Sequence, residues 1–328
     1  MRELTTDADV RAALTDPAGY SSRPMGALDR VLIGADPPDH APVRRLVAAA
    51  LRATAVPDDA MAGIAGELLT PLLERGEAEA VADLARPLAA AVTAAQLGVD
   101  RAAAGDLLRF GDAVSAVADG QPPDLTAFAD LDLAVARWAA SRRSCPTGDG
   151  ISIVVTGARG QAGLKPREVR SLVRLLVVAG IVTSARLSAV TLLAVATDRE
   201  LQARVRDRPA DAARVVEEAL RRDPPLRFVL RQQAGGEVVA CRLDEANRDP
   251  AAHPDPARFD PDRDEPHLAF GAGAHRCPGA GLARRQAKVL LQVVLARTSA
   301  LSPAGDAAWD RDQHLQGPAA VPLSLTPS

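Results

Sequence analysis

The sequence contains very few aromatic residues, and this limits how its core can be built. Only 2% of the 328 residues are aromatic, whereas 47% are hydrophobic and 25% are charged. That mixture is typical of a globular protein with a substantial core. Because Ala, Leu and Val must supply most of that core, and because Ala and Leu are strong helix formers, the composition favours long helices.

Three further absences exclude whole classes of function. The formal net charge is only −3, without the clustered basic residues that nucleic-acid binding usually needs. The N-terminus lacks an apolar signal stretch, and no apolar run reaches the roughly 18 residues expected of a membrane span. The sequence has three cysteines, Cys145, Cys241 and Cys277, and they lie far apart. An odd number of widely spaced cysteines argues against a disulfide framework. The sequence therefore predicts a cytoplasmic protein that binds neither nucleic acid nor membrane.

Helical periodicity covers most of the chain. The stretch 175–196 is apolar almost all round, so this helix should cross the middle of the protein. The best strand candidate is Arg227–Leu243, and Asn247–Pro266 is rich in Pro and Asp, which predicts an ordered meander. These patterns predict a mainly α fold with a small β region late in the chain. The helices are expected at 8–14, 43–51, 166 to about 205, 209–222 and 280–297, with two more in each of 57–99 and 100–143.

A glycine-rich segment carries the most specific motif. Residues 270–279 read Phe-Gly-Ala-Gly-Ala-His-Arg-Cys-Pro-Gly, which resembles the cysteine-ligand loop of cytochromes P450, F-G-x-G-x-H/R-x-C-x-G. Gly271 and Gly273 allow the backbone to turn tightly and approach a flat macrocycle. Amides at the start of the following helix can donate to a Cys277 thiolate. A dinucleotide loop is disfavoured because Arg276 stands where its third glycine belongs. A buried structural cysteine is the other alternative.

The resemblance implies a cofactor, haem b, whose iron is bound by Cys277. A thiolate ligand pushes electron density onto the iron and favours oxygen chemistry. The resemblance also implies that Phe270 packs near the thiolate and that His275 reaches a haem propionate. Further contacts with the cofactor are implied for the loop and the central helix, at Gly271, Gly273, Gly279, Ala179 and Gly180.

Two more segments match the family in the expected order. Glu218-Ala-Leu-Arg221 matches its E-x-x-R motif, and the spacing of three places both side chains on one helix face. Pro256-Ala-Arg258-Phe259 matches its P-x-R-F motif. The resemblance implies that Glu218, Arg221 and Arg258 form a buried charge triad that fixes the meander. Alone, an E-x-x-R pair is a common solvated pair on a helix.

Basic residues elsewhere resemble the family's propionate contacts. Asp36-Pro-Pro-Asp-His40, followed by Arg44, resembles D-P-P-E-H-T-x-x-R, and Arg231 matches a later propionate-binding arginine. The resemblance implies that His40, Arg44 and Arg231 face haem carboxylates, which are natural partners for cations. An ordinary surface charge is the alternative for each.

The central helix departs from the family at one position. Its usual signature is A-G-x-D/E-T, and Ala179, Gly180 and Thr183 match it, but Val182 replaces the acid. Glycine here costs roughly 1 kcal/mol of helix propensity, and a flat group close to the backbone is one candidate reason. In the family the acid and the alcohol deliver protons, and general acid catalysis is worth roughly 10²–10⁴-fold. Thr183, Ser184 and water remain as a possible relay.

The resemblance covers the chain as one domain, residues 1–328, without the family's usual N-terminal helix and strands. The segment between Pro24 and Asp36 is short, and the stretch from Arg231 to Asn247 lacks room for the family's second hairpin. We therefore expect a trimmed sheet and a more open or reshaped pocket. Apart from Arg227, the substrate-facing candidates are apolar, and core packing is an equal alternative for them. Arg186 is either a surface charge or an anchor for an anionic substrate. The candidates are Val178, Ile181 and Val182, and residues 226–229.

The predicted function is a haem-thiolate oxidoreductase that acts on a small organic molecule, in bacterial secondary-metabolite biosynthesis. Ferredoxin and ferredoxin reductase would supply electrons. A basic face of Arg44, Arg45, Arg284, Arg285 and Lys288 would receive the ferredoxin, or these charges are simply solvated. Two alternatives remain: peroxide-dependent, cyclisation, dehydration or nitrogen-transfer chemistry at the same haem, and a non-catalytic haem protein. The Ala- and Arg-rich composition is typical of an actinobacterial gene.

Overall fold

The protein is built mainly from helices, and the central helix predicted from the sequence runs through its middle. A computed structural model describes residues 1–28, 31–118, 120–311 and 314–328, so part of the segment between Pro24 and Asp36 lies outside the described residues. The α-helices, in chain order, are α1 Asp7–Thr15, α2 His40–Ala53, α3 Asp58–Arg75, α4 Arg86–Leu97, α5 Ala104–Ala118, α6 Leu125–Ser144, α7 Gly150–Gln161, α8 Pro166–Thr197, α9 Arg199–Asp207, α10 Ala212–Arg222, α11 Leu243–Ala246 and α12 Ala280–Arg297.

The strands form small sheets at the edge of the helical body. They are β1 Arg2–Leu4, β2 Tyr20–Ser21, β3 Glu77–Glu79, β4 Phe228–Gln233, β5 Val238–Arg242, β6 Thr298–Pro303, β7 Ala308–Arg311, β8 Gln316–Ala320 and β9 Pro322–Pro327. The largest sheet has the order β1-β5-β4-β2, and only its β1–β5 pair is parallel. A second sheet has the order β3-β9-β6, and β7 and β8 form a hairpin.

Helix α8 is the centre of the core, because it packs against α4, α5, α10 and α12. Its length and composition would suit a membrane span, so the prediction that no apolar stretch is long enough was wrong. Core helices of soluble proteins have the same properties, and much of the apolar surface of α8 is buried inside the protein. The helix therefore positions the residues around Gly180 deep in the protein.

The apolar region after Pro166 contains two helices and not one. Helix α8 ends at Thr197, and the Asp198 side chain accepts a hydrogen bond of 2.9 Å from the Leu201 amide. Asp198 thereby caps α9, which takes over the helical pattern to Asp207. The prediction of one helix to about Val205 was wrong because periodicity continues across this break.

The hairpin of β4 and β5 lies where strands were predicted. The prediction that β structure is confined to the end of the chain was wrong, since β1, β2 and β3 lie within the first 79 residues. These segments are only two or three residues long and join as edge strands. Segments this short carry no recognisable alternation of apolar and polar residues.

Candidate active site

A cavity of about 420 Å³ lies between α8, the Cys277 loop and strand β4. Apolar side chains from α8, from the segment before β4 and from the Cys277 loop form most of its wall. No carboxylate among the described residues lines it. Its polar lining groups are Thr93, Gln96, Ser115, Thr183 and Ser184 on the helices, together with His40, Arg44, Arg231, His275, Cys277 and His314.

Cys277 is presented to this cavity by the glycine-rich loop. Its amide donates to the Phe270 carbonyl over 2.8 Å, which closes the loop. Gly271 and Gly273 have φ of 68° and 65°, a conformation that favours glycine. A Cβ on Gly273 would also collide with the backbone of Leu14. The local geometry that the motif predicts is therefore present.

Cys277 is exposed, and it lines the cavity. Burial raises its pKa, while the amides of Gly279 and Ala280 and the charge of Arg44 act in the opposite direction. Metal binding deprotonates such a thiol, because the thiolate is the ligand form. Among the described residues no group of three or more His, Cys, Asp or Glu side chains could hold a metal ion.

Four basic side chains meet at one end of the cavity. The rings of His40 and His275 lie 4.1 Å apart, and the Nε2 atom of each is buried without a partner among the described residues. Arg231 is only 4% exposed, and its Nη1 donates to the carbonyl of Leu230 over 2.8 Å. Arg44 lines the same space. This end of the cavity can therefore receive anionic groups.

The charge state of this end follows from its burial. The pKa of His275 is lowered to about 4, chiefly by burial and in addition by His40, Arg231 and Arg44, while Asp36 acts in the opposite direction. Burial also lowers the pKa of His40, with a contribution from Arg44. Both imidazoles are therefore neutral near pH 7, and the two arginines carry the positive charge. These residues fit the carboxylate edge of a haem.

The signature on α8 lies in the cavity wall. The Thr183 hydroxyl donates to the Ala179 carbonyl over 2.9 Å, and Ser184 is 6% exposed. A Cβ on Gly180 would lie 2.8 Å from the Oγ1 atom of Thr93 on α4. The structural reason for this glycine is therefore the close approach of a side chain, and a flat group is not required. Val182 packs against Gly111 of α5.

The predicted charge triad has a different third member. Arg221 donates to both carboxylate oxygens of Glu218 over 2.7 Å, and both side chains are 2% exposed. The Arg258 side chain is 68% exposed and contributes only its carbonyl, which accepts from Arg221. Instead, Arg263 is 10% exposed and its Nε lies 3.5 Å from Glu218. The prediction for Arg258 was wrong, because the meander turns Arg263 inward.

Several surface and substrate predictions also change. Arg284 pairs with Glu217, while Arg285 and Lys288 pair with Asp58, so much of the predicted basic face is already neutralised. Arg284 also lies 4.5 Å above the Phe270 ring.

Among the substrate-facing candidates, Val178, Val182, Leu226 and Val229 line the cavity, whereas Ile181 is buried in the core. Arg186 lies 3.6 Å from Asp310 of β7, which argues against a role as a substrate anchor. The sequence reasoning missed Thr93, Gln96, Ser115 and His314. The glycine at position 180 was the only signal that pointed toward Thr93.

The fold and site together define a class of mainly helical proteins in which a single cysteine faces a deep cavity with a basic end. The family profile "Cytochrome P450" matches residues 234–320. The chain is 30% identical to cytochrome P450 CYP199A2 of Rhodopseudomonas palustris, over 98% of this chain and 85% of the relative. It is 31% identical to the mycinamicin IV hydroxylase/epoxidase of Micromonospora griseorubida, over 98% and 88%.

A solved structure agrees with these relatives. Cytochrome P450 CYP109Q5 from Chondromyces apiculatus superposes with a TM-score of 0.89, at 30% identity and over 99% of this chain and 90% of that one. The chain belongs to the cytochrome P450 family. It is accordingly a haem-thiolate oxidoreductase of the monooxygenase kind that acts on small organic molecules. The predicted family, fold class and enzyme class are confirmed.

Proposed function

We propose that residues 1–328 form a single domain that binds haem b, iron protoporphyrin IX, with the Cys277 thiolate as the axial ligand. The observation that carries this proposal is a thiol and a basic end facing the same cavity. His40, Arg44, Arg231 and His275 would hold the propionates, since charge-assisted hydrogen bonds to carboxylates are strong. Phe270, Gly271, Gly273 and Gly279 would shape the loop that holds the haem, and Ala179 and Gly180 of the central helix would contact it.

When bound, the haem would supply oxygen activation under the influence of its thiolate ligand. The chain's own residues would bind the substrate and direct protons. Thr183 already uses its hydroxyl proton on the Ala179 carbonyl, so its oxygen is free to accept a hydrogen bond from water. Ser184 lies next to it on the same wall, and Val182 contributes only apolar surface.

The substrate we propose is a mainly apolar intermediate of bacterial secondary metabolism. One relative is named for hydroxylation and epoxidation of mycinamicin IV, and the cavity wall here is largely apolar. Ferredoxin and ferredoxin reductase would supply electrons in the cytoplasm of the producing actinobacterial cell. The paired state of Arg285 and Lys288 means that an acidic ferredoxin would have to compete with Asp58 for them.

The carbon monoxide difference spectrum of the reduced protein tests the ligand. We expect the absorption band characteristic of thiolate-ligated haem in the wild-type protein and in a Cys145→Ser control, whose cysteine is exposed. Cys277→Ser should lose that band, because a hydroxyl does not replace the thiolate. An unchanged band in Cys277→Ser, or purified protein without haem, would contradict the proposal.

A second candidate function is favoured by Val182, which removes the usual acid. In this case the same haem would support peroxide-dependent oxidation, cyclisation, dehydration or nitrogen transfer. Turnover of a candidate substrate with ferredoxin, reductase and NADPH under oxygen would be compared with turnover by peroxide and with anaerobic incubation. Product formed without any oxidant would exclude the monooxygenase cycle for that substrate.

A further inference from the structure

Helix α4 carries two buried polar side chains that the known signature of α8 does not involve. Thr93 and Gln96 are 5% and 3% exposed, and both line the cavity. They lie three residues apart, so they share one face of α4. That face packs against α8 near Gly180. Two polar groups therefore enter the cavity next to the signature.

The hydroxyl of Thr93 is oriented differently from those of most other helical threonines. In six of them the hydroxyl donates to the carbonyl four residues earlier over 2.8–2.9 Å, at Thr15, Thr70, Thr156, Thr183, Thr191 and Thr197. Thr93 makes no such bond within the described part of the chain. Its Oγ1 atom instead approaches the backbone of Gly180, where an added Cβ would lie 2.8 Å away. The hydroxyl is therefore free to bind water in the cavity.

Gln96 links this position to the outer part of the protein. Its amide nitrogen donates to the Thr54 hydroxyl over 2.6 Å and to the Leu51 carbonyl over 3.1 Å. Its amide oxygen has no partner among the described residues and is the free acceptor. Thr54 follows the end of α2 and is partly exposed. Hydrogen bonds thus connect Thr54, near the surface, to Gln96, which lies one helical turn from Thr93.

The helical repeat places this path on the same side of α8 as the alcohol of the signature. Gly180, Thr183 and Ser184 are related by three and four residues, so they share one face. Val182 points to the opposite side, where its Cγ2 would lie 3.2 Å from a Cβ on Gly111. The side from which an acid would act is therefore apolar, and the α4 side is polar.

We propose that Thr93 and Gln96 are positioning residues that hold a water chain through which protons reach Thr183, in place of the acid missing at Val182. The proposal rests on the proposed haem-thiolate function. Each water and hydroxyl in the chain accepts one proton and passes on its own. One proton moves from solvent to the cavity, and no side chain ends in a different protonation state.

The test compares Thr93→Val, which removes the hydroxyl at nearly constant shape, with Thr93→Ser, which keeps it. Thr191→Val is the matched control, since Thr191 is fully buried on α8 and its hydroxyl bonds the Leu187 carbonyl. Each haem-loaded variant is supplied with NADPH and excess surrogate ferredoxin and reductase. Oxygen consumption and peroxide release are measured in H₂O and D₂O. The infrared stretching frequency of carbon monoxide on the reduced protein gives a readout that does not depend on turnover.

We expect Thr93→Val to slow oxygen consumption roughly tenfold, less than the roughly 10²–10⁴-fold of a full general acid, because other water remains. It should also enlarge the solvent isotope effect and shift the carbon monoxide frequency. Thr93→Ser and Thr191→Val should behave like the wild type. Gln96→Met, which loses the amide, should change the isotope effect in the same direction.

Three outcomes would overturn this proposal. Thr93→Val could leave both the isotope effect and the carbon monoxide frequency unchanged. Thr93→Ser could be as slow as Thr93→Val, which would assign Thr93 a packing role. Thr191→Val could match Thr93→Val, which would make the effect nonspecific. Failure of the haem-thiolate function itself is distinguishable, because the wild-type protein would then lack the carbon monoxide band of thiolate-ligated haem.

Discussion

Replacing Arg263 with alanine should destabilise the protein strongly, whereas the same replacement of Arg258 should not. Arg263 lies 3.5 Å from the buried carboxylate of Glu218, and it donates to the carbonyls of Pro254 and Asp255 over 2.6 and 2.7 Å. Hydrogen bonds to charged groups contribute about 1.5–3 kcal/mol each, and removing one partner of a buried ion pair costs about 3–5 kcal/mol. Because Arg221 still neutralises Glu218, we expect a loss of about 2–4 kcal/mol in the free energy of unfolding.

The Arg258 side chain is 68% exposed, and its nearest carboxylate is 4.0 Å away. Exposed substitutions of this kind usually change stability by less than about 0.5 kcal/mol. Urea unfolding of both haem-loaded variants, followed by circular dichroism and haem absorbance, measures the difference. The reasoning is refuted if Arg258→Ala is as destabilising as Arg263→Ala, or if neither variant differs from the wild type.

Three other changes follow from the same structure. Gly180→Ala should gain helix propensity of up to about 1 kcal/mol, but its methyl group should displace the Thr93 hydroxyl. The thermal unfolding temperature should therefore change little, while the carbon monoxide stretching frequency should shift as in Thr93→Val. Arg231→Leu should release haem to an acceptor protein roughly tenfold faster, since one charge-assisted contact is lost, and Arg86→Leu on the surface should not. His253 is buried, and neither of its ring nitrogens has a partner among the described residues. Burial is the main cause that lowers its pKa, and the charges of Arg221 and Arg263 lower it further. Asp7 and Glu265 act in the opposite direction. The neutral His253 therefore contributes to stability above pH 6.5, and this contribution is lost as the pH falls below that value. The urea midpoints of the wild type and of His253→Phe should diverge below pH 6.5. Midpoints that change in parallel with pH would contradict this.

Local patterns predicted those parts of the fold that a few neighbouring residues determine. Helix α12 begins and ends at the predicted residues, Ala280 and Arg297, because a glycine-rich loop precedes it and its periodicity is uninterrupted. Gly271 and Gly273 of the Cys277 loop, where tight turns were predicted, have left-handed conformations. The E-x-x-R pair forms because a spacing of three is sufficient to bring its side chains together.

Features that depend on how distant segments meet could not be predicted in this way. Arg258 and Arg263 both lie in the meander, and only the tertiary path of the chain decides which one reaches Glu218. Thr93 looks like any helical threonine until α4 approaches Gly180. The short strands β1 and β3 form because distant strands offer them hydrogen-bonding edges. A segment of three residues carries no sequence pattern that predicts such pairing.

The charges of the cavity also explain why valine is suitable at position 182. On the proposals above, Arg44 and Arg231 would face the two propionates as cations. A ferric porphyrin carries one net positive charge, which the Cys277 thiolate neutralises. A carboxylate at position 182 would then lie unpaired against the α5 side of an apolar wall, and unpaired buried charges are costly. Neutral hydroxyl and amide groups on α4 can organise water without that cost. On the proposed relay, the valine at position 182 avoids an unpaired charge, and the Thr93 hydroxyl supplies the polar group that the missing acid would have provided.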